Sequence, residues 1–178
     1  MATPTRSIVD RMKGAAMLDV PTYEEVEADT TATGQAAVVV GVVAVCSAIG
    51  AIGRGGPGII SALLLAFVGW LLWAGITYLI GDKLLGGTAT WGELLRTLGF
   101  AQAPGILSIL GIIPFVGGLV RFVVFLWLLA TGIVAIRQAL DFSTGKAVVT
   151  ALLGWLTVAI ITALLGGFGA MGAGMMGR

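Results

Sequence analysis

Gly34 to Gly53 is a run of twenty residues without a single charge, bounded by Asp29 and Arg54. At 1.5 Å per helical residue such a run covers about 30 Å, the thickness of a bilayer's hydrocarbon core. The pattern repeats. Gly55 to Gly81 is uncharged up to Asp82-Lys83, Thr97 to Val120 up to Arg121, Phe122 to Ile136 up to Arg137, and Ala147 to Gly177 up to the last residue. Inside hydrocarbon the backbone must satisfy its own hydrogen bonds, so these runs predict helices. The short alternating segments of a β-barrel are missing. The expected fold is an all-α polytopic bundle of about five transmembrane helices, at roughly 34–53, 57–81, 98–117, 119–140 and 147–168. Four spans with a re-entrant third segment is the fallback. The fourth run has fifteen residues, and Arg121 and Arg137 can snorkel outward along their stems to extend it.

Composition agrees. Only 11% of the 178 residues are charged and 58% are hydrophobic, whereas a soluble domain carries about 25% charge to face water. A formal net charge of +1 argues against nucleic acid as a partner. The first thirty residues hold no apolar stretch of the signal-peptide kind, so the first span is expected to direct insertion. Lysine and arginine placement orients the bundle. Arg6, Arg11, Lys13, Lys83, Arg96, Arg137 and Lys146 fall on one side of a five-span chain, and Arg54, Arg121 and Arg178 on the other. The positive-inside rule then predicts a cytoplasmic N-terminus and an exterior C-terminus.

Residues 1–33 form the one substantial polar segment. Ile8, Val9, Met12 and Ala16 fall on one helical face, opposite Arg6, Asp10, Arg11 and Lys13, which predicts a short amphipathic helix at the interface with its basic residues toward headgroups. Thr22-Tyr23-Glu24-Glu25 and Thr90-Trp91-Gly92-Glu93 both have capping-box form, so Thr22 and Thr90 are expected to cap helices with Glu25 and Glu93 reaching back.

Chemistry has little to draw on. The chain has no histidine, which removes His-based triads, and one cysteine, Cys46, which removes multi-cysteine metal clusters. No carboxylate lies in any membrane run, so proton relays and cation coupling lack their usual groups. The glycines fit neither the phosphate-loop nor the dinucleotide-binding frame. No catalytic, metal or cofactor-binding residue is expected. The residues singled out are structural or interaction candidates: Thr90, Glu93, Arg96, Gln102, Pro104, Pro114, Arg121 and Arg137. Leu94, Leu95 and Leu98 are expected to face the bilayer or the bundle, with Arg96 toward headgroups. Pro104 and Pro114 should each kink the third span, and Pro104 frees the carbonyl of Phe100. That carbonyl needs a partner, for which the Gln102 amide or a neighbouring helix is expected, and this span should therefore lie inside the bundle. Small residues four apart, at Ala37/Gly41, Ala62/Ala66 and Ala170/Gly174, are expected to allow close helix approach. Trp91 suits an interfacial belt, and Trp127 falls mid-span against neighbours or lipid.

Several stretches together resemble one family. They are Leu18-Asp19-Val20-Pro21-Thr22-Tyr23-Glu24-Glu25-Val26-Glu27, Ala32-Thr33-Gly34-Gln35-Ala36, Glu93-Leu94-Leu95-Arg96-Thr97-Leu98-Gly99-Phe100-Ala101-Gln102-Ala103-Pro104, and Arg137-Gln138-Ala139-Leu140. This resembles the prokaryotic branch of the Yip family, the Ypt-interacting membrane proteins. The resemblance implies five membrane helices with a cytoplasmic N-terminus and an exterior C-terminus, in a prokaryotic plasma membrane. Eukaryotic members are associated with Rab-type GTPases and traffic between endoplasmic reticulum and Golgi. The N-terminal segment here is short, so GTPase binding is not carried over. The expected function is a non-enzymatic membrane scaffold or interaction protein, whose partners are lipids and other integral membrane proteins. An accessory or assembly subunit of a large respiratory or photosynthetic complex is the alternative, and a small transporter or channel a more distant one.

Overall fold

The uncharged runs become helices, with ends that differ from the hydropathy boundaries wherever a local device intervenes. A computed structural model of the chain describes residues 6–55, 58–158 and 160. In order the elements are α1 (Ile8–Ala16), α2 (Val20–Ala28), α3 (Ala32–Gly50), α4 (Ile59–Tyr78, continued by a π-helical turn Leu79–Leu84), α5 (Trp91–Phe100), a 3-10 segment (Ala103–Ile112), α6 (Gly117–Ala139) and α7 (Thr144–Val158). No strand occurs among the described residues. Among the described residues three helices are long and apolar enough to cross a membrane: α3, α4 with its π turn, and α6. A fourth candidate is the pair α5 plus 3-10 segment, bent by 41°.

That pair replaces the expected continuous third span. The helix stops at Phe100, before Pro104, because Pro104 lacks the N–H that an α-helix would need there. The chain continues as a 3-10 helix, opened by the Gly105 amide donating to the Gln102 carbonyl at 2.8 Å. Pro114 kinks nothing. It lies exposed in the turn between the 3-10 segment and α6, next to Phe115, whose φ is 66°. The fifth expected span begins as α7, and its remainder, with Thr162, the glycine-rich tail and the Ala170/Gly174 pair, lies outside the described residues.

Close approach of backbones holds α3 to the broken helix. A Cβ on Gly99 would lie 2.7 Å from that of Ala36, one on Gly105 would lie 2.5 Å from Val43, and one on Gly50 would overlap the Ser108 carbonyl. Positions 36, 43 and 50 lie two turns apart on one face of α3, and at each a glycine on one side or the other (Gly99, Gly105, Gly50) admits the partner along its length. The expected Ala37/Gly41 pair sits on another face, along an apolar groove against Leu63 and Phe67 of α4. The core gathers Val39, Val40, Trp70, Leu94, Leu98, Phe100, Ile136 and Leu140, together with Tyr23 and Val26 of α2. Polarity is inverted outside it: α4 buries Trp70, Ala74 and Thr77 and turns Leu64, Leu65, Val68, Leu71 and Leu72 outward, as a helix facing lipid does.

Both ends of the bundle are tied. At one end Arg54 donates to the carbonyls of Gly50 and Gly111, joining the α3–α4 loop to the end of the 3-10 segment. At the other end Lys146 donates to the Leu85 carbonyl at 3.2 Å and Thr88 to Asp141 at 2.9 Å.

Candidate interaction site: the N-terminal hairpin on the broken helix

Residues 7–28 fold into an antiparallel pair of short helices that docks against α5, the 3-10 segment and α6. Ser7 caps α1, accepting from the Asp10 amide at 3.2 Å. Leu18, with φ at 62°, makes the reversal, and Pro21 sits in the first turn of α2, where its missing N–H costs nothing. Gly14 lies so close to Thr22 that any side chain there would overlap it.

Arg11 lies at the centre of the hairpin and is completely buried. Its Nε and Nη2 donate to Glu25 Oε1 at 3.0 and 2.9 Å, Nη2 also to Asp29 at 2.7 Å, and Nη1 to Gln35 Oε1 at 3.0 Å. This overturns the expectation that Arg11 reaches lipid headgroups. The buried face of α1 is Ile8, Arg11, Met12 and Ala15, turned by roughly 60° from the expected stripe at 100° per residue. Val9, assigned to the apolar face, is 53% exposed. The spacing 8, 11, 12, 15 is a helical face in its own right. An arginine on it signals an ion pair, which a purely apolar count overlooks. Hydrogen bonds from Thr31 and then Arg11 hold the Asp29 carboxyl below the usual carboxylate range, although burial opposes this.

Thr22 is no cap. Asp19 occupies that position, and Thr22, one turn in, donates its hydroxyl to Asp19 Oδ2 and accepts from Arg6. Glu25 serves Arg11 and Arg6 instead of reaching back. The capping box at Thr90 and Glu93 forms as expected: the Glu93 amide donates to Thr90 Oγ1 at 3.3 Å and the Thr90 amide to Glu93 Oε2 at 2.6 Å.

Arg96 departs from its expected place as well. It is buried and points inward, with Nε 3.1 Å from the carbonyls of both Val26 and Glu27 and Nη2 on Glu27 again. It therefore satisfies the carbonyls that α2 leaves open at its C-terminus, where a cation also complements the helix dipole. Burial pushes the Glu27 carboxyl up to about 7; repulsion from Glu93, Asp141 and Glu24 adds to this and Arg96 partly offsets it.

Deeper, Tyr23 crosses to the bundle. Its hydroxyl lies 2.9 Å from the Ala15 carbonyl and 3.3 Å from that of Thr131, and the phenol is fully buried. Thr131 Oγ1 lies 2.7 Å from the Ala101 carbonyl, next to the helix break. The residue that steadies the break is thus Thr131 of α6, whereas Gln102 makes no side-chain hydrogen bond to the described residues and lines an apolar groove. Pro104 is buried in the bundle. Trp127 donates to the Ala16 carbonyl at 2.7 Å, fastening the end of α1 to α6. Arg137 donates to Gln138, which donates to Glu24 of α2 at 3.3 Å. Arg121 is exposed in the first turns of α6, before Trp127, and makes no hydrogen bond to the hairpin among the described residues.

The hairpin thus brings together Arg96, Glu93 and, through Gln138, Arg137. It leaves Gln102, Pro114 and Arg121 outside its contacts. Arg11, Tyr23, Trp127 and Thr131 join it unannounced. The assembly offers hydrogen bonding and packing, and no group of three or more metal-ligating side chains with the geometry to hold an ion occurs among the described residues.

No curated protein and no solved structure shows a significant match to the chain. The family model of the Yip1 domain matches residues 17–167, a range that takes in α2, the broken helix and all the candidate spans described above. With its apolar helices and this match over most of its length, the chain is an integral membrane protein that belongs to the Yip1-domain family.

Proposed function

We propose that this protein is a non-enzymatic membrane scaffold of Yip type, which works by holding other integral membrane proteins and lipids against its helices. The observation that carries this reading is the division of labour between its two faces. Polar groups are spent on locking the N-terminal hairpin to the broken helix, while α4, most of whose residues lie outside the core, offers a long apolar face to its surroundings. Nucleic acid and GTPases are not among the partners proposed.

The proposed arrangement has five crossings. The Arg54 bonds to Gly50 and Gly111 support counting α5 and the 3-10 segment as one full crossing, since they tie its end to the α3–α4 loop. With α7 as the fifth, the hairpin end faces the cytoplasm of a prokaryotic plasma membrane by the positive-inside rule. The transport reading loses ground, because the groove at Gln102 is walled by Leu65, Ala66, Trp70, Trp73 and Leu128 and carries no charge.

Single cysteines in a Cys46→Ala background test the topology. Ser7→Cys and Thr88→Cys should resist an impermeant thiol reagent in intact cells, and Gly58→Cys, where a Cβ meets open space, should react. The reverse pattern refutes the orientation. For the scaffold role, photo-crosslinkers at Leu64 or Leu71 should capture discrete integral membrane proteins, and turnover of any substrate by the purified protein would sink it. Migration only as part of a respiratory or photosynthetic complex on native gels would favour the accessory-subunit reading.

A further inference from the structure

The neighbouring helices fix how deep the tip of the N-terminal hairpin lies. At the far end of the bundle Gly50, Gly111 and Gly117 abut: a Cβ on Gly111 would lie 3.0 Å from the Gly50 carbonyl oxygen, and one on Gly117 would overlap the Gly111 carbonyl. Fourteen residues from that end, α3 stands at Ala36, against Gly99, and α6 at Thr131, bonded to the Ala101 carbonyl. Thr131 is therefore level with Ala36, about 3 Å inside Gly34, where the uncharged run begins. Trp127 is one turn further in, about 9 Å inside that boundary. Its indole nevertheless donates to the carbonyl of Ala16 in the hairpin, at 2.7 Å. Were the membrane to stop short of the hairpin, α6 from Gly117 to Trp127 would cover only about 15 Å, half of a hydrocarbon core.

The tip is built for such a depth. A helix leaves its last four carbonyls to water, but α1 does not. The Lys13 carbonyl accepts from the Met17 amide, that of Gly14 from Asp19, that of Ala15 from Leu18 and the Tyr23 hydroxyl, and that of Ala16 from Trp127. The Val20 amide and the carbonyls of Met17 and Leu18 stay open, which fits the boundary between headgroups and acyl chains, where some water reaches. Met17 is 78% exposed and Leu18 39%, and Leu126 beside Trp127 on α6 is exposed as well. Leu18 holds φ at 62°, a conformation that glycine adopts freely and leucine only under strain, so an apolar side chain is kept at the tip against a backbone cost. The charges nearby are covered or mobile. Arg11 is buried on Glu25 and Asp29, Asp19 is held by Arg6 and Thr22, and the Lys13 stem can carry its ammonium back to headgroups.

We infer that the hairpin is a wedge in the membrane leaflet on its own side of the bundle, with Met17 and Leu18 among the upper acyl chains of phospholipids and its open end among their headgroups. The apolar stripe of α1 is not what meets lipid, since Ile8, Met12 and Ala16 pack on the core. The wedge displaces lipid from one leaflet only, and it does so whether or not the protein is a scaffold.

The test is electron paramagnetic resonance of the full chain in nanodiscs of phosphatidylethanolamine and phosphatidylglycerol. Single nitroxide labels are placed by Met17→Cys, Leu18→Cys, Glu24→Cys or Leu126→Cys in a Cys46→Ala background. Oxygen, which concentrates in acyl chains, and a nickel chelate, which stays in water, are the two relaxing probes. Labels at Met17 and Leu18 should match the one at Leu126, with oxygen more effective than the chelate by about threefold or more. The label at exposed Glu24 should show the reverse. Chelate access at Met17 and Leu18 equal to that at Glu24 would overturn the wedge while leaving the α6 crossing intact. Shielding of both tip labels from both probes, as a covering protein would produce, would overturn it too. Chelate access at Leu126 would overturn the depth assigned to α6 and the wedge with it.

Discussion

Arg96 and Glu27 are bound through the backbone of one and the guanidinium of the other: Arg96 Nε lies 3.1 Å from the Glu27 carbonyl oxygen, across 69 residues of sequence. The acidic side chain of the same residue stands among Glu24, Glu93 and Asp141, so one residue is both the anchor of the hairpin and its point of electrostatic strain.

Replacing Arg96 by Met keeps the stem and removes every one of these bonds. Charge-assisted hydrogen bonds contribute about 1.5–3 kcal/mol, so the variant should lose on the order of 2 kcal/mol. Amide hydrogen exchange in detergent should show α2 losing protection while α3 and α6 keep theirs. Uniform loss across the bundle would argue that Arg96 supports the whole fold instead.

Glu27 predicts a pH dependence. Its folded pKa of about 7 lies above the ordinary value of 4.5, so the folded chain favours the protonated form. The stability this contributes is fully present below about pH 4.5 and is lost as pH rises through 7. Glu27→Gln should therefore raise Tm at pH 8 by about 2–4 °C, on the order of 1 kcal/mol after screening, and leave it nearly unchanged at pH 4.5. An equal shift at both values would point to a cause other than ionisation.

Arg11→Met leaves Glu25 and Asp29 without the cation that they share. Removing one member of a buried ion pair costs about 3–5 kcal/mol, and the partial exposure of both carboxylates lowers this to about 2. Limited proteolysis should then cut between α1 and α2, near exposed Met17, long before it reaches the bundle. A triple variant with Glu25→Gln and Asp29→Asn should recover part of the loss.

Thr131→Val preserves shape and removes the hydroxyl that sits on the Ala101 carbonyl. It should cost about 1–2 kcal/mol, the effect of leaving a buried carbonyl unpaired. Gln102→Leu, next to the same break, should change stability by less than about 0.5 kcal/mol, because no partner of its side chain is lost. Chemical unfolding of the two variants side by side separates the roles; a larger loss for Gln102→Leu would refute them.

What could be read from the sequence follows the range of each signal. Hydropathy reports on surroundings averaged over a membrane thickness, and it located α3, α4 and α6 to within a few residues. The Thr90–Glu93 box is settled inside one turn and was equally plain. The Thr22–Glu25 box has the same letters and failed, since Glu25 has a stronger partner in Arg11, fourteen residues away. Arg11, Arg96, Tyr23 and Trp127 all spend their polar groups on distant parts of the chain, which neither periodicity nor local propensity can register. Pro114 shows the opposite difficulty. A proline inside an apolar run reads as a kink, and only the positive φ of Phe115 beside it turns the run into two elements.

The docking of the hairpin also sets an order for synthesis. Tyr23 meets Thr131, Trp127 meets Ala16 and Gln138 meets Glu24, pairs separated by 108, 111 and 114 residues. The ribosome delivers the hairpin first and its seat last. Until α6 has been threaded into the bilayer, Arg11, Tyr23 and the carbonyls at the end of α2 have no bundle to rest on, and the N-terminus waits in the aqueous phase as an open ligand for whatever handles nascent chains. Its closure then marks the moment at which the broken helix and α6 of one molecule are both in place, so that a quality-control protease reading the hairpin would be reading the arrival of its seat.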